Sequence, residues 1–112
     1  MNKRQKLKKG KMVPKKDTYN LDQTIADFVL PRLILFKKVN NAFPGHGDMN
    51  TPEKWDTALD KMIYAFGYMS HYPDWNEQKE SYADYVARCR TEDAKIKEGM
   101  HLFAEWYSYL WW

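Results

Sequence analysis

The chain has a single cysteine, Cys89, and that scarcity closes off two chemistries. It excludes an internal disulfide and any zinc site built from several cysteines, and it points to a reducing compartment. Long apolar runs are missing as well. The most apolar stretch, residues 28–36, is short and interrupted by Pro31 and Arg32, which is incompatible with a membrane span. The basic start is followed by Gly10 and Pro14 instead of an apolar segment, so no secretory leader is expected. Strand-like alternation occurs nowhere, and without strands there is no strand–loop–helix phosphate loop. Acid is absent from residues 1–16, which hold eight Lys/Arg and carry +8. The remaining residues hold ten basic and fifteen acidic side chains, a net of −5. A basic tail over 1–16 and a mildly acidic folded domain over 17–112 are therefore expected, the tail solvated and able to neutralise nucleic-acid phosphates.

What the sequence has in quantity is rings. Aromatics make up 16% of the 112 residues and hydrophobic residues 44%, far above what a disordered chain carries. The length allows one domain with one core.

Periodicity places three helical segments. The first runs from about Asn20 to Asn41, with Ile25, Phe28, Val29, Leu35, Phe36 and Val39 on one face and a kink at Pro31. The second begins with Thr51 as N-cap and Pro52 at the first helical position. It buries Trp55, Leu59, Met62, Ile63 and Phe66 and closes at Gly67 and the His71-Tyr72-Pro73 turn. The third spans about Glu77 to Leu110 on a stripe from Tyr82 to Leu110, or breaks near Thr91, where Thr91-Glu92-Asp93 could cap a fourth helix. The fold class is all-α, a three- or four-helix antiparallel bundle. Six aromatics between Phe103 and Trp112 exceed what one small bundle can cover, and they predict a homo-oligomer.

The candidate chemistry is sparse. Arg32 falls on the apolar face of the first segment, where a buried guanidinium needs an anion. Either it pairs internally with Asp56 or Asp60, or it clamps a phosphate or carboxylate. Asp56, Asp60 and Lys61 share a helix with Trp55 and Tyr64, a mixture that suits a small-ligand pocket and equally a solvated helix face. Glu98-Gly-Met-His101 is one half of a di-iron pattern whose other half is missing, so no metal or cofactor is expected. Glu77-Gln-Lys-Glu80 matches the opening of the metal-binding pattern of all-helical nucleotide pyrophosphohydrolases, but the second Glu-x-x-Asp is absent. Cys89, on the expected buried stripe, reads as packing. No catalytic set is complete, and no enzyme is expected.

Three blocks in succession carry a family likeness: residues 17–33 (DTYNLDQTIADFVLPRL), 55–66 (WDTALDKMIYAF) and 98–106 (EGMHLFAEW). In that order they resemble a widespread group of small, functionally uncharacterised tailed-phage proteins. The resemblance implies a viral accessory protein working in the cytoplasm of the infected bacterial host. By analogy with small oligomeric phage proteins that counter host defence, it would be a sponge, sequestering a nucleotide immune signal without cleaving it. The ligand-binding residues would then be Arg32, Lys61 and Asp60, with Trp55, Tyr64 and Trp106 as rings for a base. A nucleic-acid-binding accessory protein using residues 1–16 is the alternative, and an all-helical nucleotide hydrolase the second.

Overall fold

The computed structural model describes residues 13–71 and 79–112. Most of the basic tail, Tyr72-Pro73 and the Glu77-Gln78 pair lie outside those residues. After a short 3₁₀ turn at Lys15–Thr18 come three α-helices: α1, Leu21–Val39; α2, Pro52–Ser70; and α3, Tyr82–Glu105. A second 3₁₀ turn at Tyr107–Tyr109 leads into the C-terminal tryptophans. No strand occurs among the described residues, only an isolated bridge between His46 and Met49.

Local chemistry explains the boundaries. The Thr51 hydroxyl accepts from the Lys54 amide at 3.2 Å, and Pro52 follows at the start of α2. Ser81 does the same for α3, accepting from the Asp84 amide at 3.1 Å. The third helix therefore begins five residues later than the expected Glu77 start, at Tyr82 where its apolar stripe begins, and it ends before Leu110. It does not break at Thr91, whose hydroxyl donates back to the Ala87 carbonyl at 3.2 Å and leaves the helix intact. Likewise α2 runs past Gly67 to Ser70.

The helices alternate in direction. The Gln23 amide of α1 donates to the Ser70 carbonyl at the far end of α2, while Lys37 near the end of α1 meets Asp60. Along α2 and α3, Tyr64 faces Lys95, Lys61 faces Glu98 and Trp55 faces Trp106. α2 packs against both neighbours, whereas α1 and α3 make no direct backbone approach to each other. The core follows from that order. Six of its residues come from α2 (Trp55, Ala58, Leu59, Met62, Ala65 and Phe66), joined by Ala26 and Leu33 of α1, Met49 of the loop and Trp106. Leu59, Met62 and Phe66 are fully enclosed, each contributing about 1.5–3 kcal/mol of burial.

The face of α1 turned to the core differs from the one the bulky residues suggest. Ala26, Val29, Leu30, Leu33 and Phe36 pack inward, while Ile25, Phe28, Leu35 and Val39 are exposed. Val29 and Phe36 of the expected stripe do pack inward, beside Ala26, Leu30 and Leu33.

Candidate functional site

The α1–α2 loop is pinned before any site can form beside it. Gly45 and Gly47 hold φ of 82° and 58°, a region other residues adopt at a cost. The Gly45 amide donates to the Met49 carbonyl at 2.9 Å and the Met49 amide to the His46 carbonyl at 3.1 Å. Met49 is thereby driven into the core, and His46 is set against the C-terminal turn. There its Nε2 shares a 2.6 Å hydrogen bond with the Tyr109 hydroxyl, and its ring lies 5.4 Å from that of Trp106. Trp106 in turn meets Trp55 edge-on at 6.4 Å and Tyr109 at 5.4 Å.

This ring cluster backs a cleft of about 350 Å³ between the end of α1 and the C-terminus. Asn40, Asn41, Phe43, Trp55, Tyr109, Trp111 and Trp112 line it, and none of these side chains is charged. Trp111 and Trp112 are 72% and 75% exposed and Phe43 40%, so the mouth is walled with accessible rings. Trp55 is the opposite, 2% exposed, and its indole N–H has no hydrogen-bond partner among the described residues. A buried donor without an acceptor costs about 1–3 kcal/mol and is uncommon in folded proteins.

A second, shallower groove of about 300 Å³ gathers Asp60, Lys61 and Tyr64 with Lys95 and Glu98. Its charges are already matched. Lys61 pairs with Glu98 at 2.5 Å, and Asp60 with Lys37 at 2.5 Å. The hydrogen bond that Lys37 donates to the Asp60 carboxylate, ahead of the opposing effect of burial, raises the Lys37 pKa above its ordinary value. Lys95 sits 5.5 Å from the Tyr64 ring centre. A larger groove, about 540 Å³, adjoins this one on the α2–α3 side. Asp48, Glu53, Glu98 and Glu105 line it against Lys54 and Lys61, a balance that disfavours an anion.

Arg32 stands apart from all three. It is exposed, not buried, and neither Asp56 nor Asp60 meets it. Its Nη1 donates to the Phe28 carbonyl at 2.8 Å, and its guanidinium carbon lies 3.7 Å above the Phe28 ring. The expected burial fails because the stripe that carries Arg32 is the outer one of α1. It borders a groove of about 270 Å³ with Phe28, Phe36, Phe103 and Tyr107.

The six residues singled out from sequence thus fall into three places: Trp55 with Trp106, Asp60 with Lys61 and Tyr64, and Arg32 alone. Sequence reasoning missed Phe43, Tyr109 and His46 as parts of a site. Trp111 and Trp112 were read as interface. The usable signal was the Asn40-Asn41-Ala-Phe43 run beside an aromatic C-terminus, which only the fold brings together.

Elsewhere, Glu80 grips Arg88 through two contacts, 2.6 Å and 3.3 Å, and the guanidinium holds its carboxyl below the ordinary glutamate value. Burial raises the Tyr68 hydroxyl, and a hydrogen bond with Cys89 raises that of Tyr85. Glu98 is engaged with Lys61, and no cluster of three or more metal-ligating side chains occurs among the described residues. No helix there is long and apolar enough to cross a membrane. No protein family, curated protein or solved structure matches the chain.

Proposed function

We propose that this protein is a non-catalytic binder that sequesters a small nucleotide, holding its base in the cleft beside Trp55. The observation that carries the reading is an uncharged cleft that Trp55 lines and that Phe43, Tyr109, Trp111 and Trp112 wall with rings. A nucleobase offers that cleft two π-faces for its exposed tryptophans. Stacking of this kind contributes about 1–3 kcal/mol per base. The uncharged lining selects the base, and the phosphates remain outside, within reach of solvent. Trp55 lines this cleft and Trp106 packs behind it against Trp55, while Asp60, Lys61 and Tyr64 form a self-matched surface groove.

In this reading the protein acts as a phage accessory factor in the host cytoplasm, withdrawing a nucleotide immune signal without altering it. No nucleophile, base and charge-stabilising group converge at the cleft, so turnover is not expected. The test is capture and release. Purified protein is incubated with lysate of defence-activated cells, freed of unbound ligand by filtration, and heated. An intact nucleotide should be released from the wild type. Trp111→Ala/Trp112→Ala, which alters only exposed rings, should release little while retaining its helical circular dichroism. A chemically altered product, or equal release from that variant, would overturn the reading.

The charge of residues 1–16 favours one further reading, nucleic-acid binding. Deleting that block should then abolish a DNA or RNA shift whose affinity falls steeply with salt.

A further inference from the structure

The two walls of the C-terminal cleft come from distant parts of the chain. One is the loop segment 40–44, the other Tyr109, Trp111 and Trp112. The second wall has little of its own to hold it. The Leu110 amide donates to the Tyr107 carbonyl at 3.1 Å, and among the described residues no backbone hydrogen bond reaches Trp111 or Trp112. Between the loop, residues 40–49, and the C-terminal turn, residues 107–112, one hydrogen bond occurs among the described residues. It joins His46 Nε2 and the Tyr109 hydroxyl at 2.6 Å.

The loop is built to present that histidine. His46 stands between Gly45 and Gly47, both at the positive φ that a side chain would strain. The Gly45 amide donates to the Met49 carbonyl and the Met49 amide to the His46 carbonyl, which closes the backbone around it. Met49, 6% exposed, anchors this closed turn in the core. The imidazole then lies 5.4 Å from the ring of buried Trp106 and 5.3 Å from that of Tyr109. It is held from the core side while its Nε2 holds Tyr109.

We propose that His46 is a positioning residue for the cleft: through Tyr109 it sets where Trp111 and Trp112 stand, so that the aromatic wall is in place before a base arrives. A wall ordered in advance lowers the entropy lost on binding. His46 is not among the lining residues and acts only through Tyr109. The consequence for binding rests on the nucleotide reading of this cleft; the placement of the wall in the free protein does not.

The test uses the full chain with His46→Phe, His46→Gln, Tyr109→Phe and the double variant His46→Phe/Tyr109→Phe. Phenylalanine at 46 keeps a ring beside Trp106 and loses the hydrogen bond; glutamine keeps a donor and an acceptor. In nitrogen-15 spectra of the free protein, His46→Phe and Tyr109→Phe should each displace the Trp111 and Trp112 indole signals. His46→Gln should return them most of the way, and the double variant should go no further than either single one. Because the bond is exposed, the unfolding midpoint should move little. Affinity for the common ribonucleoside 5′-monophosphates, read from tryptophan fluorescence, should fall about two- to tenfold in His46→Phe, the equivalent of one hydrogen bond, and recover in His46→Gln. Unmoved indole signals in His46→Phe, a His46→Gln spectrum as displaced as that of His46→Phe, or additive effects in the double variant would each overturn the proposal. Since the spectra contain no nucleotide, failure of the positioning role is distinguishable from failure of the cleft reading, which would show as a wild type that binds none of these probes.

Discussion

A methyl group at position 99 would have no room. A Cβ built there would overlap the Lys61 carbonyl oxygen and stand 2.6 Å from the Ala65 Cβ, so α2 and α3 cross almost backbone to backbone at this glycine. Gly99→Ala should lower stability by about 1–3 kcal/mol, measured by urea or thermal unfolding, because the helices must separate to admit it. An unchanged midpoint would mean that the crossing is looser than described. Glu80 supplies a pH-dependent residue. Its carboxyl is held below its ordinary value of 4.5 by Arg88, so the stabilisation is present above that value and is lost as pH falls through the depressed one. Glu80→Gln should remove that stabilisation at neutral pH, lowering the unfolding midpoint there slightly while leaving the acid end unchanged, so that the profile flattens across the acid window. Arg32 shows where residue-level reading from sequence stops. Its place on an apolar stripe was visible, but a helix apolar on two faces does not say which one turns inward.

At the scale of elements, most of the architecture was legible because the start signals are chemical. Thr51-Pro52 announces α2 and the structure contains that cap. Thr51→Ala should cost about 1 kcal/mol, read as a lower unfolding midpoint with no change in native helix content. The start of α3 was less legible. Ser81 caps it and the apolar stripe begins at the next residue, Tyr82, whereas the expected Glu77 start takes in polar residues that precede that stripe. The inner face of α1 was misread for a related reason. Apolar residues lie on both sides of α1, and hydrophobicity alone does not choose between Ile25, Phe28, Leu35 and Val39 on one side and Ala26, Leu30 and Leu33 on the other.

For the whole molecule, the consequence of placing α2 in the middle is an open architecture. α1 keeps a free apolar flank, and the C-terminal rings fold back over Trp55. Phe103, Trp106, Tyr109 and Leu110 pack on their own core, and Tyr107, Trp111 and Trp112 remain exposed. The cleft was not legible in sequence, because it joins residues 40–44, Trp55 and residues 109–112 through a loop whose path depends on Gly45 and Gly47. Its exposed rings can be observed directly. In a nitrogen-15 spectrum the five tryptophans give five indole N–H signals, with those of Trp111 and Trp112 identified by their loss in Trp111→Phe and Trp112→Phe. Adding the nucleotide released from the lysate-loaded protein should shift the Trp111 and Trp112 signals, because these rings wall the cleft. A bound nucleotide that leaves both signals where they were would contradict the account.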